Sequence, residues 1–239
     1  MEFNSLMSFA FELSNRCNYS QLHPECPTDA KADPVFLKTH IIKEGIRYLG
    51  KIGFKGSIYF NIYNEPLIDP RLFMLLEYTK EHCGCNVCIF TNGWGLDQYM
   101  AKELKNLNVI TTISCYSEKE ENRAVKIAEN YNFDIFRYQR IELDLKVKTI
   151  YESPPTRTGP CLFPLIYGMV NHRGEFVLCC RDYAYHHVIG DLNINSFEEV
   201  FESDYRKEIC DRLKVGDRFL DACKRCPYPG WGVVNDAYV

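Results

Sequence analysis

Short apolar strands alternate with helices from residue 8 to residue 151, and this alternation limits the fold more than any other feature of the sequence. The pattern predicts strands at 8–14, 57–62, 87–91, 109–115, 133–138 and 143–151, and helices at 35–49, 71–81, 96–107 and 117–131. Strands and helices that alternate in this way form a parallel sheet with right-handed crossovers. The sequence therefore predicts an α/β fold with its ligand site at the carboxyl ends of the strands.

Helix starts are marked by two kinds of capping signal. Asp-Pro pairs at 33–34 and 69–70 predict the starts of two helices, because proline is favoured at the first helical position. Ser-x-x-Glu capping boxes that begin at Ser117 and Ser196 predict two more. The helix that begins at Ser196 is predicted to run to Leu213.

The repeat of strands and helices ends at Pro154-Pro155. Beyond it, residues 165–171 and 175–178 predict a β-hairpin with its turn at Gly174. We therefore predict two domains, a parallel α/β domain at 1–153 and a small hairpin and helix module at 154–239.

A loop that follows the first strand carries soft metal ligands. Residues 14–29 read SNRCNYSQLHPECPTD, in which Cys17, His23 and Cys26 form the pattern C-x5-H-x2-C. Two thiols and an imidazole at the end of a strand are ligands for iron or zinc. The alternative for His23 is a solvated loop residue.

The loop resembles the cluster loop of radical S-adenosylmethionine (SAM) enzymes, which usually reads C-x3-C-x2-C after the first strand of a partial barrel. Counted forward from Cys17, the position of the usual second cysteine holds Gln21. Counted back from Cys26, it holds His23. Either His23 is the middle iron ligand or the loop lacks one ligand. The resemblance implies a partial (β/α)6 barrel that binds S-adenosyl-L-methionine and a [4Fe-4S] cluster at the SAM site.

A second cysteine set lies in the C-terminal part, at Cys161, Cys179, Cys223 and Cys226. The C-x2-C pair suits two thiolates on one metal centre. The arrangement resembles the short "twitch" form of the SPASM module, which implies that these four residues bind an auxiliary [4Fe-4S] cluster. A structural zinc site, with the same ligand chemistry, is the alternative. Cys83, Cys85 and Cys88 also lie close together in the sequence. They are interpreted either as buried thiols or as the ligands of a third metal site.

Other strand ends carry residues that the resemblance assigns to SAM. Tyr63-Asn64-Glu65-Pro66 looks like the family's Gly-Gly-Glu-Pro segment, which implies that Asn64 and Glu65 meet the methionyl ammonium; for Glu65 the contact is a charge-assisted hydrogen bond. Ser114 is placed to contact the ribose, and Tyr116 or Tyr19 to cover the adenine. The alternative for Glu65 is an ordinary acidic residue in a loop before proline. The alternative for Tyr116 and Tyr19 is packing in the core.

One arginine is assigned by the same resemblance. Arg157 occupies a junction position similar to one in the aminocyclitol-oxidising dehydrogenases of the family, where an arginine meets the substrate. We therefore predict Arg157 and Tyr116 as catalytic residues. A surface arginine in a linker is the alternative for Arg157.

Composition excludes several classes of protein. The net charge of −4 gives no electrostatic footprint for nucleic acid or an anionic membrane. No apolar run approaches the ~18 residues of a membrane span, and the N-terminus lacks a signal-peptide pattern. The 12 cysteines are therefore interpreted as reduced thiols and metal ligands in a cytoplasmic protein.

The resemblance implies that reduced cluster splits SAM and that a 5′-deoxyadenosyl radical removes a hydrogen atom from the substrate. Modification of a ribosomally made precursor peptide is the preferred activity, because the altered loop resembles the splicease group, which excises a tyrosine-derived fragment. Such an enzyme needs a small leader-peptide-binding partner protein and an external electron donor. The alternatives are a radical dehydrogenase of a small alcohol or aminocyclitol and a non-catalytic cluster-bearing subunit.

Overall fold

The structure is a computed structural model that describes residues 6–20, 28, 32–115, 118–137, 157–183 and 185–226. Its strands are β1 (Ser8–Phe11), β2 (Ser57–Tyr59), β3 (Asn86–Thr91), β4 (Ile110–Cys115), β5 (Asp134–Arg137), β6 (Tyr167–Val170), β7 (Glu175–Val177) and β8 (Val188–Asp191). Its helices are α1 (Thr39–Lys51), α2 (Leu72–His82), α3 (Gln98–Asn106), α4 (Glu118–Tyr131), α5 (Phe163–Ile166), α6 (Phe197–Phe201), α7 (Asp204–Lys214) and α8 (Asp221–Arg225).

The described strands form one eight-stranded sheet in the order β5-β4-β3-β2-β1-β6-β7-β8. Strands β1 to β5 are parallel to their neighbours, and β6 also pairs with β1 in parallel. Strands β6, β7 and β8 are joined by antiparallel pairing. This confirms the predicted parallel α/β fold and the hairpin, and it shows that the sheet continues from the N-terminal part into the C-terminal part. The strand predicted at 143–151 and the boundary at 154 lie outside the described residues.

The two faces of the sheet are packed differently. We call the face of the sheet that packs against α1 to α4 the outer face and the opposite one the inner face. The outer face carries Phe9, Phe11, Ile58 and Phe60, which form one core with the apolar residues of those helices. Neighbouring strand residues point the other way because side chains alternate along a strand. On the inner face a smaller cluster forms around Ala10, Met169, Val177 and Tyr185.

Two predicted helix boundaries are wrong. Helix α1 begins at Thr39 and not at residue 35, because residues 35 and 37 form backbone hydrogen bonds with the chain that follows β1. The helix predicted at 196–213 is two helices, because Ser203 caps a new start after α6. The capping box of Ser196 and Glu199 is confirmed. Within the ranges that the structure describes, no helix has the length and apolarity needed to cross a membrane.

Candidate functional site

A hydrogen-bond network joins the carboxyl ends of β1, β2 and β3. The backbone N–H of Glu65, after β2, donates to the Arg16 carbonyl, after β1, at 2.9 Å. The Glu65 carboxylate accepts from the Thr91 hydroxyl at 2.6 Å and from the Asn92 N–H at 2.7 Å, at the end of β3. The predicted strand-end residues therefore do meet at one edge of the sheet.

Glu65 is the centre of this network. Its side chain is buried, and its Oε1 also accepts from the Leu67 N–H at 3.0 Å, which caps a short 3₁₀ turn at Pro66–Ile68. Burial raises the pKa of Glu65, and the three hydrogen bonds oppose that rise. Two carboxylate oxygens have about four acceptor sites, so Glu65 retains capacity for one more donor, such as the predicted ammonium.

Cys17 lies next to this network. Its Sγ accepts from the Tyr19 backbone N–H at 3.4 Å and lies 4.0 Å from the side-chain amide nitrogen of Asn92. The Asn92 amide also donates to Asn18 Oδ1 at 2.8 Å, which holds β3 against the start of the loop. N–H groups aimed at sulfur stabilise thiolate ligands of iron and tune their potential. Cys17 therefore has the surroundings of a metal ligand, whereas His23 and Cys26 lie outside the described residues.

The other predicted SAM-binding residues are buried close to the same edge. Asn64 uses its side chain locally: it donates to the Phe60 carbonyl at 3.1 Å and accepts from the Ile62 N–H at 3.2 Å. Ser114 is buried near the carboxyl end of strand β4, beside Cys115. Burial and a hydrogen bond to Glu120 raise the pKa of Tyr19. Tyr116 lies outside the described residues.

The second predicted cysteine set forms one pocket. Cys161, Cys179, Cys223 and Cys226 all line it, and we call it the auxiliary pocket. Among the described residues, no three histidine, cysteine, aspartate or glutamate side chains are close enough together to bind a single metal ion. The four thiols thus surround a space and not a point. This arrangement fits a multi-iron cluster better than zinc, whose four ligands each lie ~2.3 Å from the ion.

Separate elements bring these four thiols together. Cys161 precedes α5 and is held by a hydrogen bond from its N–H to the Leu213 carbonyl at 2.8 Å, while Cys179 follows β7 and Cys223 lies in α8. Burial raises the pKa of Cys179, and it raises that of Cys223 to about 12. Both thiols are therefore protonated near neutral pH until a metal displaces their protons.

Three arginines lie in or beside the pocket, namely Arg157, Arg181 and Arg218. Arg157, the predicted substrate contact, is fixed by its backbone N–H, which donates to the Lys224 carbonyl at 2.8 Å. Its Nε is buried and has no hydrogen-bond partner within the described part of the chain. Arg218 lines the pocket itself, and sequence reasoning missed it because nothing in its local sequence distinguishes it from a surface arginine.

A row of polar and aromatic side chains links the two sites along the inner face. Tyr63, from the loop of Glu65, donates its hydroxyl to the carbonyl of Cys180, the neighbour of Cys179. The Tyr63 ring lies 5.7 Å from that of Tyr185, which in turn lies 6.3 Å from the His172 ring, measured between centroids. Sequence reasoning gave none of these residues a role in a site.

A buried hydrogen-bonded pair closes this row at the ends of β1 and β6. Glu12 Oε2 lies 2.7 Å from His172 Nδ1 and also accepts from the His172 backbone N–H at 3.1 Å. The side chain of Glu12 is 1% exposed and that of His172 is 15% exposed. Glu12 is therefore buried, and the His172 ring is the more accessible member of the pair.

Two sequence comparisons find similar proteins. Residues 161–227 match the SPASM family, described as an iron–sulfur cluster-binding domain. The S-adenosyl-L-methionine-dependent 2-deoxy-scyllo-inosamine dehydrogenase of Niallia circulans is 23% identical over 232 residues, which cover 90% of each chain.

Solved structures share the fold. BtrN in complex with AdoMet and 2-DOIA has a TM-score of 0.75 and 20% identity, and the match covers 94% of each chain. The structure of anSMEcpe with bound AdoMet and Cp18Cys peptide has a TM-score of 0.58 and 14% identity, covering 92% of this chain and 86% of that one. The architecture is thus common to chains whose structures contain a small molecule and to chains whose structures contain a peptide.

Proposed function

Because this chain is a radical SAM protein with a SPASM-type iron–sulfur module, we propose that it oxidises a hydroxylated substrate by removing two electrons. The observation that carries this proposal is the auxiliary pocket, in which four cysteines from distant parts of the chain converge. A cluster in that position provides an electron acceptor near the substrate. The likeness to a SAM-dependent dehydrogenase over 90% of each chain supports the same activity.

Two sets of residues hold the cofactors in this proposal. Cys17, with His23 and Cys26 as the further ligand candidates, binds a [4Fe-4S] cluster, and the Glu65 network orients SAM. Cys161, Cys179, Cys223 and Cys226 bind the auxiliary [4Fe-4S] cluster. When bound, the first cluster and SAM supply a 5′-deoxyadenosyl radical that removes a hydrogen atom from the substrate, and the first cluster takes its electron from an external donor.

The residues of the inner face position the substrate and accept its proton. Oxidation of an alcohol to a carbonyl releases the hydroxyl proton as well as a second electron. The Glu12–His172 pair is a suitable acceptor, because the Glu12 side chain, 2.7 Å from Nδ1, holds the imidazole ring in a fixed orientation for general-base chemistry. The rings of Tyr63 and Tyr185, 5.7 Å apart, pack beside the pair.

The test combines iron analysis with product analysis. The anaerobically reconstituted wild type is expected to bind about eight irons per chain, for two four-iron clusters. With dithionite and SAM it should release 5′-deoxyadenosine and convert 2-deoxy-scyllo-inosamine, or another member of an aminocyclitol panel, to its ketone. Cys179→Ala should keep SAM cleavage but lose ketone formation.

Cys210→Ala provides the matched control. Cys210 is also a buried cysteine of the C-terminal part, but its thiol donates to the Pro164 carbonyl at 3.5 Å and does not line the auxiliary pocket. It should behave as the wild type does. Undiminished ketone formation in Cys179→Ala, or no SAM cleavage by the wild type, would contradict the proposal.

Modification of a precursor peptide is the second candidate. The likeness to a chain solved with both AdoMet and a peptide supports it. A small leader-peptide-binding partner belongs to this candidate. The same assay distinguishes the two, because a peptide library incubated with the reconstituted protein should show a mass change only if the substrate is a peptide.

A further inference from the structure

Arg218 is a buried cation in the wall of the auxiliary pocket. It is 5% exposed. Its guanidinium donates to three backbone carbonyls: Nε to Gly159 at 2.8 Å, Nη2 to Pro160 at 3.2 Å, and Nη1 to Cys223 at 3.5 Å. One side chain therefore fastens the segment just before Cys161 to the helix that carries Cys223.

The backbone is shaped for this contact. Gly159 and Gly216 both have left-handed backbone angles, with φ of +95° and +92°. A Cβ on Gly216 would lie 3.3 Å from the backbone of Gly159, so the two turns pack directly on each other. The close approach brings Arg218, two residues after Gly216, within reach of the Gly159 and Pro160 carbonyls.

The charge of Arg218 has no carboxylate partner among the described residues. Burial of a cation without a counterion is unfavourable, and hydrogen bonds to neutral carbonyls recover only part of the lost hydration energy. An anion in the pocket balances the charge. A four-iron cluster held by four thiolates is such an anion, because the four thiolates carry more charge than the oxidised core.

We propose that Arg218 is a positioning residue that fixes the segments of Cys161 and Cys223 and, through its buried charge, raises the reduction potential of the auxiliary cluster. The proposal rests on the proposed function only in that the pocket holds an iron–sulfur cluster. Reduction adds negative charge to the cluster, and a cation in a poorly hydrated site stabilises the reduced form more than the oxidised form. Arg218 thereby makes the cluster a better acceptor for the substrate electron.

The experiment measures the potential of the auxiliary cluster by itself. The full-length chain carries Cys17→Ala, so that only the auxiliary cluster forms, and each variant is reconstituted anaerobically and titrated with dithionite under electron paramagnetic resonance. Arg218→Gln should shift the potential to more negative values and lower the iron content. Arg218→Lys, which keeps the charge but not the planar fork, should keep a potential close to that of the parent.

Arg212→Gln is the matched control. Arg212 is on the neighbouring helix α7, but it is 40% exposed and pairs with Glu208 and Asp217. Its removal should leave the potential unchanged because water screens its charge.

The outcomes separate this inference from the proposed function. Suppose that the parent binds about four irons and that Arg218→Gln has the same reduction potential and iron content as the parent. That result overturns the role of Arg218 but not the presence of the cluster. A parent that binds no iron overturns both. If Arg218→Gln loses its cluster, Arg218→Lys decides: a cluster at the parent potential supports the proposal, and a folded lysine variant with a shifted potential or no cluster refutes it.

Discussion

Thr91→Val tests whether the strand ends of the first site are held together by one carboxylate. The Thr91 hydroxyl donates to Glu65 Oε1 at 2.6 Å and accepts from the Gly93 N–H at 3.0 Å. Valine has nearly the same shape and suits a strand, so the substitution removes both hydrogen bonds without creating a cavity.

The expected cost follows from these two bonds. A hydrogen bond to a charged group contributes about 1.5–3 kcal/mol, and a buried N–H left without an acceptor costs about 1–3 kcal/mol. Because the loop relaxes in part, we expect Thr91→Val to lower the free energy of unfolding by roughly 3 kcal/mol. For a domain of this size that corresponds to a urea midpoint lower by roughly 1 M.

Thr91→Ser is the matched variant, because it keeps the hydroxyl and loses only a methyl group, which costs ~1 kcal/mol. Both variants and the wild type are compared by urea unfolding of the reduced, metal-free chain, followed by circular dichroism. A valine variant no less stable than the serine variant would show that the hydroxyl does not support the Glu65 network.

The pH dependence gives a second measurement. Burial raises the pKa of Glu65, and the hydrogen bond from Thr91 opposes this rise. Thr91→Val therefore raises the pKa further, and the folded variant binds a proton more readily than the folded wild type. The difference in free energy of unfolding between the wild type and Thr91→Val should be smallest below pH 4.5, where the carboxyl group is protonated in both proteins. This difference should grow as the pH rises. A difference that does not change with pH would contradict this assignment.

Three further predictions concern the scaffold. Arg71→Lys breaks the paired contact with the buried carboxylate of Asp69 and should cost about 1–3 kcal/mol in urea unfolding, whereas an unchanged midpoint would refute that role. Gly45→Ala places a Cβ 2.7 Å from the Phe197 ring, so overpacking should cost about 1–3 kcal/mol, and a more stable variant would contradict the packing. Hydrogen bonds from Ser196 lower the pKa of Glu199, so the stability that Glu199→Gln loses should be present above about pH 4.5 and be lost as the pH falls through the lowered pKa; a loss of stability that does not change with pH would exclude the capping box as its source.

The sequence pattern was most reliable where the signal is local and periodic. The alternation of strands and helices predicted the parallel sheet, and the capping box at Ser196 marked a helix start that the structure contains. The start of α1 was missed because Val35 and Leu37 pair with the chain after β1. That pairing satisfies backbone groups that a helix at 35–38 would otherwise use, and it depends on a residue some twenty positions away.

For the candidate sites too, the sequence predicted the residues but not all of their contacts. The C-x2-C spacing of Cys223 and Cys226 and the resemblance to the twitch module pointed to Cys161, Cys179, Cys223 and Cys226, and all four line one pocket. The resemblance of the Tyr63–Pro66 segment to a family motif pointed to Glu65, but not to the hydrogen bonds by which its carboxylate joins the ends of β2 and β3.

By itself the sequence determined the type of sheet and the kinds of atom available to bind metal, since both depend on residue type and short-range spacing. Only the tertiary structure decided which distant groups meet. Glu12 and His172 are 160 positions apart, and Arg218 reaches carbonyls 58 and 59 positions before it. Contacts of this kind arise from the order of strands in the sheet and from the packing of turns, and a local pattern of residues carries no record of either.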